Sequence, residues 1–398
     1  MKNKSVKELR LLYVAPRYHT NQVPVMRGFH KYNCQVMFMA QYEGVGEVHD
    51  NVDFRLMKKS LLSKLIFKVV EKKYGPSHAE GIKARLFLPA FFHTLRTIKG
   101  FNPDLVVYRE RYPATLAVYL ICKMLGIRKN ILYVQQPIYD NEYMGGGFKN
   151  SLKKLLFPKV TFSPILFHGK KRSKEEKSDL YFVPLVVEGK DSALMAERTY
   201  FEDGVIRFLD IGKYRDYKNH FFLIDAFDGL KKKISLAGVK LTIIGQVSNC
   251  NEEAYFEKLK TYIAEKELQD VIEVRKGIPY EEMDALYRKH DVLLLPSTYE
   301  SAGMVIPEAM EKGLCVVTSI YCGLGSYLEE YDCGYTFPLN DTRKLEEIIM
   351  SLMVDGDLIR QKGRESVKAV QEHLLFENYL EKLSELTEAE FDYSLFSE

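Results

Sequence analysis

The chain has 398 residues, with 46% hydrophobic residues and 57 Lys+Arg against 54 Asp+Glu, for a formal net charge of +3. That length exceeds what one hydrophobic core usually serves, so two domains are expected. No run of about 18 uninterrupted apolar residues is present, which leaves out a membrane-spanning helix, and the short apolar run Leu11–Ala15 reads as a first strand, not a signal peptide. The six cysteines show no CxxC spacing, so they read as buried thiols of a reducing, cytoplasmic compartment, with no metal site.

In the first half, apolar runs predict strands near Leu11–Ala15, Cys34–Ala40, Leu105–Tyr108 and Ile131–Val134. Helical spacing predicts helices over Gln22–His30, Lys64–Lys73, Arg85–Lys99 and Ala114–Leu125. In the second half, strands fit Ile206–Ile211, Lys240–Ile244, Ile272–Val274, Val292–Leu295 and Cys315–Thr318. Helices there fit Asn219–Leu236, Ala254–Lys266, Tyr280–His290, Pro307–Lys312 and Thr342–Met353, and a last helical pattern covers Gln361–Leu386. Strands alternating with helices imply βα units and parallel sheets.

Charge is unevenly spread. Residues 1–190 hold 33 Lys/Arg and 15 Asp/Glu, an excess of +18, so the remainder carries −15. Such asymmetry turns the first half toward an anionic partner. Ser60–Tyr74 places Leu61, Leu62, Leu65, Ile66, Val69 and Val70 at helical spacing, with Lys64, Lys68, Lys72 and Lys73 largely off that stripe. Asn150–Val160 repeats the flavour with Lys153, Lys154 and Lys159. Basic amphipathic helices lie in membrane interfaces, although such a stripe also packs onto its own domain. No zinc-finger or RNA-recognition motif is present, so nucleic acid is not an expected partner.

The most informative stretch is Leu293–Ser319, where an apolar strand runs into Glu300, a turn Ser301-Ala302-Gly303, and Pro307 at a helix start. Free N–H groups at such a start point at whatever fills the turn. Ionised Glu300 and Glu308, eight positions apart, are pure acceptors that could grip hydroxyls. Phosphate held by amides and hydroxyls held by carboxylates describe a sugar nucleotide. The alternative is that Glu308 and Glu311 are ordinary helix-surface residues.

With Ala309-Met310 and Gly313, this stretch resembles the retaining glycosyltransferases of family 4, which have the GT-B fold. The resemblance implies two Rossmann-like domains facing across a cleft, an acceptor-binding domain over residues 1–187 and a nucleotide-sugar domain over residues 188–372. Residues 373–398 would return as a C-terminal helix to the first domain, and Tyr181–Val187 resembles the family's hinge. The family's glycine, basic residue and later lysine fall on Gly212, Lys213 and Lys218, which would neutralise a leaving diphosphate. Lys213 stands where arginine is usual, and Arg215 could supply the guanidinium. By the same resemblance Glu308 holds the ribose, Glu300 meets the transferred sugar, and the amides of Gly303, Met304 and Val305 meet the diphosphate. Gly245, Lys276 and Ile278 would lie along the nucleotide.

The implied activity is hexosyl transfer with retention from a UDP- or GDP-linked sugar to a hydroxyl of a glycan or lipid-linked acceptor, without a cofactor or required metal. Such a chain would be cytoplasmic, with contact at the inner face of the membrane. The first half departs from the family. The loop Pro16–Asn21 has no glycine, and the strand Ile131–Val134 ends in Gln135-Gln136-Pro137 where a histidine is common. His19, Arg111 and Gln136 are the acceptor-side candidates, beside a loop Gly145-Gly146-Gly147. A non-catalytic sugar-nucleotide-binding protein and a phosphorylase or epimerase of the same fold are the alternatives. A nicotinamide oxidoreductase would need Gly-x-Gly-x-x-Gly after the first strand, which Pro16–Asn21 is not.

Overall fold

The computed structural model describes residues 9–43, 49–135, 137–138, 156–167, 180–188, 198–279 and 282–387, without the side chains of residues 20 and 76–81. The chain forms two compact units. The first contains residues up to Pro164, the stretch ending at Val186 and the chain from Phe376; the second contains Val187–Leu375.

The first unit is built on β1 (Arg10–Ala15), β2 (Gln35–Ala40), β3 (Asp53–Leu56), β4 (Leu105–Arg109), β5 (Lys129–Tyr133), β6 (Thr161–Ser163) and β7 (Tyr181–Phe182). They lie in the order β3-β2-β1-β4-β5-β6-β7, and the paired strands run parallel. Leu11, Leu12, Tyr13, Val14 and Ala15 are all buried. A central parallel strand is covered on both faces, which is why it reads as a continuous apolar run.

The second unit repeats the plan with β8 (Ile206–Ile211), β9 (Val239–Gly245), β10 (Ile272–Lys276), β11 (Val292–Leu295), β12 (Cys315–Ser319) and β13 (Gly334–Phe337). Their order is β10-β9-β8-β11-β12-β13, again parallel. Both sheets are Rossmann-like, and together they give the α/β class and GT-B fold expected from the sequence. In each, the order reverses between the first and fourth strands, β1 and β4 or β8 and β11. Open α/β sheets bind ligands at the carboxyl ends of the strands beside that reversal.

Several elements differ from expectation. The helical pattern over Arg85–Lys99 is the end of one helix, Leu61–Leu86, and the body of another, Phe91–Phe101. Pro89 separates them, because proline lacks an N–H and disfavours helical backbone at the residue before it. The first of these helices is itself interrupted at Gly75, with φ 74° and ψ 162°. The pattern over Gln361–Leu386 is two helices, Gly356–His373 and Phe376–Thr387, parted at Leu374 and Leu375. Leu374 is fully buried and its carbonyl accepts from Val187 N at 3.0 Å, so packing ends the first helix there.

The Phe376–Thr387 helix contributes Phe376, Tyr379, Leu380 and Leu383 to the first unit's core. The ring of Phe376 meets Phe29 edge-on at 5.1 Å. A β-carbon on Gly28 would stand 2.1 Å from the Phe376 ring, so this docking requires glycine in the helix Val23–Lys31.

The stripe on the Leu61–Leu86 helix divides. Phe67 and Val70 are buried, whereas Leu61, Leu62, Leu65 and Val69 are 79, 54, 63 and 65% exposed. Phe92, in the first turn of the neighbouring helix, is 75% exposed. The bridge between Lys59 and Pro89 brings the starts of these two helices side by side. Among the described residues, no helix is long and apolar enough to cross a membrane. The loop Gly145-Gly146-Gly147 and most of Asn150–Val160 lie outside the described residues.

Candidate active site

The second unit builds a site where β8 and β11 end. After β8 the chain passes Gly212, makes a tight turn over Asp216–Lys218, and enters the helix His220–Lys231 through Asn219 at φ 59°. That turn folds Lys218 back against the strand end, where it is only 8% exposed. A β-carbon on Gly212 would stand 2.9 Å from Lys218 Cε, so the glycine lets the lysine stem lie on the backbone. Gly245, closing β9, has the same role one strand over. Its β-carbon would meet Gly212 O and the Tyr214 ring, each at 2.6 Å. Tyr214 is locked in turn by its hydroxyl, which donates to Arg275 O at 2.6 Å.

The loop after β11 supplies the carboxylates. Glu300 is held by backbone contacts with the segment after β12: its N–H donates to Tyr321 O, and its carbonyl accepts from Gly323 N. Its Oε2 lies 2.5 Å from Lys218 Nζ, joining residues 82 positions apart. Burial pulls the Lys218 ammonium down, but Glu300 beside it and the nearby Asp210 outweigh burial and hold it above the usual lysine range. Gly303, at φ 82°, turns the chain into the helix Val305–Glu311, so this helix starts two residues before Pro307. The amides of Gly303, Met304 and Val305 stand at that start, where a helix leaves its first N–H groups without intrahelical partners. Glu308 is half-buried on the helix, and Tyr287 donates to its Oε2 at 2.7 Å. Burial pushes the Glu308 carboxyl up, and the tyrosine bond opposes this.

Gly212, Lys218, Gly245, Glu300 and Gly303 therefore form one connected group, with Glu308 on the helix that follows Gly303. The other candidates are placed differently. Lys213 is exposed. Arg215 Nε donates to the buried Glu252 at 2.7 Å, and Lys276 Nζ to Glu253 at 2.7 Å. Burial alone would raise the Glu252 carboxyl; Arg215 and the Ser248 N–H lower it overall. Ile278 is half-buried in the loop after β10. Among the described residues, no group of three or more His, Cys, Asp or Glu could hold a metal ion.

Sequence reasoning missed four residues here: Tyr287 and Glu252, which hold Glu308 and Arg215, and the buried pair Asp210 and His220. Asp210 had a signal, being a carboxylate inside the apolar strand Ile206–Ile211.

In the first unit, Arg17 Nη2 and His19 Nε2 are 2.8 Å apart, in the loop after β1. Arg111 follows β4, half-buried, and burial lowers its guanidinium although Glu110 opposes this. Glu110, not singled out from the sequence, takes φ 65° and accepts from Gln135 N at 3.2 Å. Burial pushes its carboxyl up. Gln136 lies outside the described residues.

Two parallel sheets with a lysine and carboxylates at the second switch point define a class. Residues 196–369 match the family described as Glycosyl transferases group 1. Over 174 residues the chain is 25% identical to a trehalose synthase of Pyrococcus horikoshii, a match covering 43% of this chain and 41% of that protein. The chain thus spans about two-fifths of the length of the curated relatives it matches first. A glycosyltransferase from Rickettsia africae superposes with a TM-score of 0.69 at 15% identity, covering 97% of this chain and 100% of that one. Anabaena HepE in complex with UDP-glucose gives 0.65 at 13% identity, covering 96% and 100%. At these identities the structural likeness concerns the fold.

Proposed function

We propose that the protein is a retaining hexosyltransferase. It would move a sugar from a UDP- or GDP-linked donor to a hydroxyl of a glycan or lipid-linked acceptor in cell-surface polysaccharide synthesis. One observation carries the reading: the Lys218–Glu300 ion pair, set among three glycines at the strand ends of a group 1 glycosyltransferase domain. Without ligand the two charges neutralise each other. A donor offers a diphosphate to the lysine and sugar hydroxyls to the glutamate, and so separates the pair.

In this reading Lys218, helped by the exposed Lys213, meets the charge that grows on the departing diphosphate. The amides of Gly303, Met304 and Val305 add donors to the same charge. Preorganised charge of this kind is usually the largest catalytic contribution. Glu300 orients the transferred sugar, and Glu308, steadied by Tyr287, holds the ribose. Gly245 and Ile278 line the nucleotide, and Arg215 and Lys276 flank it. His19, Arg111 and Gln136 belong to the acceptor side. The lysines and amides meet the diphosphate charge, and no metal is assigned a role.

A thermal-shift screen across nucleotide sugars tests this. One base is expected to raise the melting temperature, because a ligand bound only by the folded state stabilises it. The anomeric configuration of the transferred sugar, read by NMR, should equal that of the donor. Binding of a nucleotide with no transfer to any acceptor would favour a non-catalytic binding protein. Turnover of donor with inorganic phosphate alone would favour a phosphorylase.

The acceptor side of this reading includes an anionic membrane surface. Its support is the exposed Leu61, Leu62, Leu65, Val69 and Phe92, beside the exposed Lys58, Lys59, Lys64, Lys68, Lys72 and Lys73. Apolar side chains enter the interface while lysines meet anionic headgroups. Co-sedimentation with phosphatidylglycerol vesicles should fall steeply with salt and should drop further in Leu65→Glu/Phe92→Glu. Equal pelleting with neutral vesicles would sink this part.

A further inference from the structure

Asp210 lies on β8, two residues before Gly212, and is fully buried. Among the described residues, neither carboxylate oxygen has a hydrogen-bond partner. Its Oδ2 is 3.8 Å from Nε2 of His220, beyond hydrogen-bond reach, and that nitrogen also lacks a partner. The other ring nitrogen of His220 is 3.2 Å from the Tyr255 hydroxyl. A buried carboxylate without donors is costly unless it is neutral or has a cation near. The cation within its field is Lys218, the residue that carries the ion pair with Glu300.

We propose that Asp210 is a positioning residue for Lys218: an inner carboxylate that competes with an incoming diphosphate for the lysine's charge. The inference rests on the reading that Lys218 meets a diphosphate. Lys218 then has two anionic seats, Glu300 on the ligand side and Asp210 behind it. When a ligand engages Glu300, the ammonium is divided between the diphosphate and Asp210. A charged Asp210 holds it back, and a neutral Asp210 releases it.

The groups that face Asp210 come from four segments. They are Lys218 and Tyr214 from the loop after β8, His220 from the following helix, Tyr255 from the helix Cys250–Glu265, and Cys322 after β12. Burial pushes the Asp210 carboxyl up to about 7, against the pull of Lys218. Burial and Lys218 together press His220 down to about 3, so the imidazole is neutral across the working range and Asp210 is the member that titrates. Below about 7 Asp210 is neutral, and above it the carboxylate is charged and draws on Lys218.

The test is a calorimetric titration of UDP and of GDP into wild type, Asp210→Asn and Lys218→Ala, at pH 5.5 and pH 8.5. The readout is the ratio of wild-type to Asp210→Asn dissociation constants, which cancels the nucleotide's own ionisation. The ratio is expected near one at the lower pH and on the order of tenfold at the higher, as for a unit charge several ångströms away in a partly screened interior. A variant that only loosened the fold would change both values alike. A ratio that does not move with pH overturns the inference. Asp210→Val, which keeps the apolar strand, carries the same expectation should the Asn variant not fold. Undiminished binding in Lys218→Ala, or no binding of either nucleotide by wild type, instead overturns the site reading beneath it.

Discussion

The two sheets share a strand order and differ at their switch points. In the second unit, the loop after the first strand opens with Gly212 and presses Lys218 onto the backbone, against Glu300 from the loop after the fourth. In the first unit, the corresponding loop Pro16–Asn21 has no glycine, and the fourth strand ends at Arg109, with Glu110 and Arg111 following it. Charge is therefore paired between Lys218 and Glu300 at one switch point, and gathered at the other as a buried Arg109 and a half-buried Arg111 around a raised carboxyl. The same strand order thus carries differently charged loops, and function lives in sites grafted on a fold rather than in the fold itself.

Substitutions that separate the two switch points sharpen this contrast. The largest expected effect is Glu300→Gln, which keeps the shape but removes the charge facing Lys218. Turnover should fall by about a hundredfold or more, the scale of losing one charge-aligned catalytic interaction. Near-normal turnover would remove Glu300 from the chemistry. Gly245→Ala comes next, since its methyl would meet Gly212 O and Tyr214 at 2.6 Å. Overpacking of this kind costs about 1–3 kcal/mol, to be read as a lower melting temperature together with weaker nucleotide binding. An unchanged melting curve would mean that the loop yields. The smallest expected effect on the donor is that of Arg111→Ala, in the other unit. Nucleotide affinity should stay within about twofold, while the acceptor KM rises through loss of a guanidinium contact. A parallel loss of donor affinity would break the division of labour between the units.

Much of the fold was legible because strands such as Leu11–Ala15 and Val292–Leu295 are buried on both faces and announce themselves as apolar runs. Thr161–Ser163 and Tyr181–Phe182 are too short to carry a period, and Asp53–Leu56 is a mostly exposed edge strand with a mixed pattern. Gly334–Phe337, an edge strand of the second sheet, is four residues long and largely half-buried, too short to carry a clear period. The break at Leu374 and Leu375 was invisible because the apolar spacing runs on through it. Within the site, Glu300, Gly303 and Glu308 could be found because they stand in one local motif. Tyr287, Glu252 and His220 could not, since their roles come from contacts between elements far apart in sequence.

The docking of Phe376–Thr387 into the first unit has a consequence for synthesis. Domains generally fold as units while the chain is being made, the earlier one first. Here the earlier unit lacks Phe376, Tyr379, Leu380 and Leu383 until the whole of the second unit has been made. The unit that leaves the ribosome first is completed last, and in the interval Phe29 and the groove beside Gly28 stay open to chaperones.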